Sequence, residues 1–95
     1  MARTFLVVHG IVQGVGYRHF VWRTALKYGI KGFVRNAEDG SVEVLADADS
    51  QKLKEFAEDL NIDFQNGPQV FGIDAQDSRL KDFEKRKFAD FFIEE

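Results

Sequence analysis

The sequence predicts an α+β sandwich, an antiparallel sheet with two helices packed on one face. Three observations predict it. Short runs of alternating apolar residues mark strands, two longer stretches carry apolar residues at helical spacing, and an Asp-Gly pair joins the middle strands as a hairpin. Along the chain the order reads β-α-β-β-α-β.

Residues 4–12 open the chain with a β-rich run in which Phe5, Val7, His9 and Ile11 alternate against Leu6, Val8 and Val12. A basic residue before an apolar run is the start of a secretion-signal pattern, but this run is short and interrupted by His9 and Gly10, so it reads as a strand. Gly10, Gly14 and Gly16 follow in close succession. From Tyr17 to Tyr28 the residues favour a helix, with Tyr17, Val21, Ala25 and Tyr28 on one face and Gly29 as the stop. Lys31 to Asn36 reads as a second strand, Asp39-Gly40 as a hairpin turn, and Ser41 to Ala46 as the returning third strand. Asp49 or Ser50 can cap a second helix whose Leu53, Phe56, Ala57 and Leu60 form a core-facing stripe. Gly67-Pro68 breaks the chain before a fourth strand over Val70 to Ala75, and Phe88 to Ile93 can add a short fifth strand at the C-terminus. Gln76 to Lys87 is mostly polar and carries no clear pattern.

A crossover through a helix suits parallel first and second strands, with the hairpin partner between them. This is the ferredoxin-like βαββαβ arrangement, expected to form one domain over residues 1–95. It has a consequence for function. Parallel first and second strands end at the same edge of the sheet, so the glycine loop and Asn36 are brought within about two strand spacings, ~10 Å.

Composition narrows the chemistry. The 95 residues are 44% hydrophobic with ten Phe, and there is no Cys, so disulfides, thiolate nucleophiles and Cys-bound metals are excluded. The absence of Cys fits a reducing compartment, and a cytoplasmic location is expected. The net charge of -3 is unevenly distributed: residues 1–37 carry Arg3, Arg18, Arg23, Lys27, Lys31 and Arg35 with no acid, whereas residues 38–95 sum to -9. Either the basic segment makes a positive field for an anion, or the two halves neutralise each other across the fold.

Gly10-Ile11-Val12-Gln13-Gly14-Val15-Gly16-Tyr17-Arg18 is the segment richest in chemistry. Glycines allow successive N–H groups to face one concavity, a helix start adds unpaired N–H groups, and Arg18 can offer forked donors to phosphate or carboxylate. No Lys-Ser/Thr follows, so it is not a Walker loop, and the glycine spacing is not that of a dinucleotide-binding turn. A glycine turn before a helix can equally be only a turn. In the same way Arg18 can be a solvated helix residue, and Asn36 an Asx-type turn former.

The stretch GIVQGVGYR at residues 10–18 resembles the signature loop of the acylphosphatase family, and Gly32-Phe33-Val34-Arg35-Asn36 resembles its second signature. Asp39-Gly40-Ser41-Val42-Glu43 and Gly67-Pro68 extend the similarity, which weakens after Val70, where Phe71-Gly72 replaces a smaller family residue. The resemblance implies the same ferredoxin-like fold and metal-independent hydrolysis of acyl phosphates, without cofactor. It implies that Arg18 and the backbone N–H groups of Gln13, Gly14, Val15, Gly16, Tyr17 and Arg18 bind phosphate, and that the Asn36 amide orients the attacking water. The implied partner is a small-molecule acyl phosphate, with phosphate as product or competitive ligand, acting on a monomer without nucleic acid or membrane.

The chemistry is consistent with those roles. A carboxylate leaving group, with a conjugate-acid pKa of about 4, departs without a general acid. Positioned donors can supply most of the catalysis of a loose phosphoryl-transfer transition state. No acid within residues 1–37 offers a ligand for Mg²⁺ there. His9, within a strand, and His19, without an identified partner, are poor catalytic candidates. Arg23 and Lys27 read as a solvated helix face or a positive rim, Phe20 and Trp22 as packing, and the acidic second half as solvated surface. Other uses of such a sheet fit less well. An RNA-binding module needs exposed aromatics on its central strands, and a metal carrier needs a Cys pair. The alternative retained is a non-catalytic phosphate- or acyl-phosphate-binding module of a larger assembly.

Overall fold

In the computed structural model, which describes residues 1–95, the chain runs β1 (Ala2–Ile11), α1 (Tyr17–Tyr28), β2 (Lys31–Asn36), β3 (Val42–Ala48), α2 (Ser50–Leu60), β4 (Gln69–Ala75), a 3-10 helix (Asp77–Phe83) and β5 (Phe91–Ile93). The sheet order is β4-β1-β3-β2-β5. β1 pairs antiparallel with β3 and β4, and β2 antiparallel with β3, so the hairpin partner does lie between two parallel strands. The fifth strand departs from the antiparallel rule. After β4 the chain crosses the sheet through the 3-10 helix and arrives beside β2 running in the same direction, with Gly32 opposite Phe91 and Val34 opposite Ile93. Strand β5 is also shorter than the apolar run at 88–93 suggested, because only Phe91–Ile93 lie against β2.

Period-2 alternation decides which residues each face receives. Leu6, Val8, Val34, Val42, Val44 and Ala46 meet Tyr17, Val21 and Ala25 of α1 and Leu53, Phe56 and Leu60 of α2 in the larger of two cores. Helix α1 ends at Gly29 in the left-handed conformation, with its N–H on the carbonyls of Ala25 and Leu26. Of the two cap candidates for α2, Asp49 takes the position and accepts from the Lys52 N–H at 2.9 Å.

The opposite face is not left to water. Phe5, Val7, Phe33 and Leu45 are covered there by Phe83 of the 3-10 helix, whose ring stacks on Phe5 at 5.5 Å, with Leu80 and Phe88 alongside. The polar run at 76–87 therefore supplies a second, smaller core. Most acids of residues 38–95 are exposed, as the solvated-surface reading expects, but three on this face depart from it. Glu43 is only 9% exposed and is held by Arg35 at 2.8 Å and Arg79 at 2.7 Å. Asp47 is paired with Arg3, and Glu94 with Arg35 and Arg86. No helix is long and apolar enough to cross a membrane.

Candidate active site

Strand β1 outruns its pairing with β3 at Val8 and continues only against β4, with a bulge between His9 and Gly10. Gly10 has φ 144°, and a Cβ there would collide with the Gln69 carbonyl oxygen. Residues 12–16 then turn from β1 into α1, with Gly14 and Gly16 in the left-handed region at φ 74° and 81°. Both positions have open space around them, so the backbone turn rather than crowding demands glycine. Gly16 is the N-cap of α1 and offers no side-chain cap, and no acid stands in the first turn. The result is a run of backbone donors. From Gln13 through His19 no backbone N–H has an acceptor in the protein, and the first satisfied one is Phe20 N–H on the Gly16 carbonyl at 3.1 Å. Left-handed glycines, uncapped N–H groups and a helix N-terminus together make an anion-binding concavity.

The side chains of this segment divide sharply. Tyr17 is buried in the core, its hydroxyl donating to the Leu60 carbonyl at 2.8 Å, and burial pushes its pKa well up. It fixes the start of α1 against the end of α2 and leaves only its N–H for the loop. Arg18, one residue on and half-buried, makes no hydrogen bond or ion pair in the protein. It lines a pocket of about 260 Å³ with Val12, Gly14, Gly16, His19, Ile93 and Glu95.

Asn36, exposed at the end of β2, is opposite Val42, which is in turn opposite Val8 of β1. The register thus places Asn36 two strand spacings from β1, at the edge where β1 runs into the loop. Its side chain makes no hydrogen bond in the protein. The Asx-turn role belongs instead to Asp39, whose carboxylate accepts from the Ser41 hydroxyl at 2.6 Å and the Ser41 N–H at 3.0 Å. Those hydrogen bonds hold the Asp39 carboxyl below its ordinary pKa.

One contact joins the two halves of the site. The Gln13 side-chain amide donates to the carbonyls of Ala37 and Ser41, each at 2.8 Å, tying the loop to the hairpin directly after Asn36. Sequence reasoning placed Gln13 here for its backbone and missed its side chain. It also missed Ile93 and Glu95 as a wall, because the tail carries no motif. Of the basic residues in the first segment, Arg3, Lys27 and Arg35 are paired with Asp47, Asp59 and Glu43, as neutralisation across the fold requires, while Arg18, Arg23 and Lys31 make no ion pair. His9 makes a partly exposed contact with Asp74 of β4 at 3.2 Å.

Comparison with known proteins gives a consistent result. A family model described as acylphosphatase matches residues 4–92. An acylphosphatase of Pasteurella multocida is 38% identical over 93 residues, 98% of each chain. The crystal structure of acylphosphatase from Bacillus subtilis superposes over the whole of both chains with a TM-score of 0.83 and 34% identity. The fold alone is shared with part of HypF from T. kodakarensis, at 24% identity and a TM-score of 0.79, where the match spans 12% of that much longer chain.

Proposed function

The chain belongs to the acylphosphatase family, hydrolases acting on acid anhydrides, and from that premise we propose that it hydrolyses the carboxyl–phosphate bond of small acyl phosphates without a metal. Arg18 and the N–H groups of residues 13–18 hold the phosphoryl oxygens, and the Asn36 amide orients the attacking water. The observation that carries the reading is the unbroken row of N–H donors from Gln13 to His19, with the free guanidinium of Arg18 beside it.

The chemistry follows from what these groups can do. Charge in the transition state spreads over the three equatorial phosphoryl oxygens, where fixed N–H groups and a planar guanidinium stabilise it without reorganising. Asn36 can accept from water through its carbonyl and donate through its NH₂, holding the water in line with the departing oxygen. Water oxygen bonds to phosphorus, the P–O bond to the acyl group breaks with its electron pair, and the carboxylate leaves unprotonated while the water proton passes to solvent.

The chain acts on this reading as one monomeric cytoplasmic domain, with phosphate as product and competitive ligand. The fold likeness to HypF keeps a module of a larger assembly as the second reading. The test is hydrolysis of acetyl or benzoyl phosphate, with and without chelator. Turnover unaffected by chelator supports the proposal, as does Arg18→Ala weakening phosphate inhibition while Asn36→Ala lowers mainly kcat. Inactivity of the folded native chain favours the binding module, and chelator sensitivity removes the metal-free mechanism.

A further inference from the structure

We propose that Gln13 is a positioning residue, whose side-chain amide fastens the hairpin carrying Asn36 to the phosphate loop and so sets the water in line with the phosphorus. The inference builds on the roles given above to Arg18 and Asn36. Its basis is a pair of contacts that secondary structure does not require. The Gln13 NH₂ spends both hydrogens, one on the Ala37 carbonyl and one on the Ser41 carbonyl, across 24 and 28 residues of sequence.

Those two carbonyls are the ones that close the hairpin. The Ser41 carbonyl also accepts the Ala37 N–H at 2.9 Å, and the Ala37 carbonyl the Gly40 N–H at 3.3 Å. Gln13 therefore grips the hairpin at its neck, next to the peptide that follows Asn36. Beyond Asn36 the ladder with Val42 has ended, and no other side chain from the loop reaches this segment. Without the clamp, Asn36 is located only by its ladder with Val42 and the Ala37–Ser41 backbone bond, with nothing tying it to the loop that holds the phosphate, two strand spacings away.

The residue type fits the task. Two carbonyl acceptors side by side call for two donors from one group, which a primary amide supplies and a carboxylate does not. Gln13→Glu keeps the shape but sets a carboxylate against two carbonyl oxygens, and Gln13→Asn keeps both donors on a stem one methylene shorter. A displacement of about 1 Å at a positioning group can cost about a hundredfold in rate. The loop N–H groups do not depend on the clamp, since Gly14, Gly16 and the buried Tyr17 set their path.

The experiment is a double-mutant cycle of Gln13→Ala and Asn36→Ala, read as kcat for acetyl phosphate and as the inhibition constant of inorganic phosphate. Gln13→Ala is expected to lower kcat by about tenfold to a hundredfold while the phosphate constant moves by less than about threefold. In the Asn36→Ala background the same substitution is expected to cost less than about threefold, because the group it positions is gone. Losses that multiply, or a phosphate constant that rises as far as kcat falls, would overturn the proposal. Gln13→Asn should recover more turnover than Gln13→Glu, and the reverse order counts against the clamp. A second readout is independent of turnover. In ¹⁵N spectra of the native chain, inorganic phosphate should shift both the loop amides and the Asn36 side-chain amide. In Gln13→Ala the loop shifts should remain and the Asn36 response should fade; an unchanged response overturns the positioning role. Full kcat in Asn36→Ala alone would instead overturn the water assignment, so the two failures are distinct.

Discussion

Four arginines on the far face of the sheet and the single Arg18 at the loop are treated differently. On the far face Arg3, Arg35, Arg79 and Arg86 are each paired with Asp47, Glu43 or Glu94, and each also lies over an aromatic ring, Arg79 at 4.3 Å from the Phe5 centroid and Arg35 at 4.9 Å from that of Phe33. At the loop, Arg18 has neither a carboxylate partner nor a ring. An arginine whose donors are already satisfied contributes to folding and has little left for a ligand. One held half-buried beside a row of unpaired N–H groups adds nothing evident to folding, and its donors remain for an anion. Activity and stability should therefore separate between the two regions.

The sharpest test of that separation is Arg18→Ala. Loss of one strong phosphoryl-oxygen partner is expected to lower kcat/KM for acetyl phosphate by about a thousandfold. The free energy of unfolding in urea should change by no more than about 0.5 kcal/mol, the range for substitutions that break no packed or paired feature. A comparable loss of stability would mean that Arg18 is also structural, and the contrast would fail.

The converse is Glu43→Ala. Two arginines lose their shared, nearly buried partner, which is expected to cost about 3 kcal/mol, seen as a lower urea midpoint at unchanged slope. Turnover of the folded fraction should stay within about twofold of native, since Arg35 and Glu43, though next to Asn36 and Val42 along β2 and β3, point to the opposite face of the sheet. A fall in turnover without a fall in stability would reverse the assignment of the two regions.

The pH dependence sharpens the same contrast. Burial pushes the Glu43 carboxyl up, but hydrogen bonds and charge from Arg79 and Arg35 outweigh it and hold the pKa below its ordinary value. A depressed folded pKa means stability that is present above the unfolded value, about 4.3, and lost as pH falls through the folded one. The stability gap between the native chain and Glu43→Gln should thus be widest near pH 6 and shrink as acid protonates Glu43. A gap that persists undiminished below about pH 3 would show that the charge is not what matters.

The helix face of this molecule was legible in its sequence and the far face was not, for physical reasons. Alternation in β1 and β3, the stripe Leu53-Phe56-Leu60, and the stop at Gly29 each depend on near neighbours, so short-range pattern reports them. The same alternation assigns Glu43 correctly to the face opposite Val42 and Val44, but it cannot say what covers that face. The cover is a 3-10 helix with Leu80 and Phe83 as its only large apolar side chains, too sparse a stripe to register, and it acts through contacts such as Phe83 on Phe5. At the site, glycine spacing and Arg18 could be read locally, and the position of Asn36 followed from topology. The Gln13 clamp could not be read at all, because it joins residues that only the fold makes neighbours.

The smallest effect concerns Lys27, which belongs to the basic first segment but to neither region. It lies nine residues after Arg18 on α1, about 14 Å along the helix and away from the loop. Its ammonium is 3.8 Å from Asp59, with 70% of the lysine side chain exposed. An exposed pair at that distance contributes little, and salt screens what remains. Lys27→Ala is accordingly expected to change stability by at most about 0.5 kcal/mol. The inhibition constant of phosphate should be unchanged at moderate salt. That second result discriminates between two views of the basic segment. If Lys27→Ala weakened phosphate binding, the whole segment would act as one diffuse positive field, and the special status of Arg18 would be lost. If phosphate binding responds to Arg18 and not to Lys27, the anion is held by fixed donors at the loop, and net charge along residues 1–37 is incidental to it.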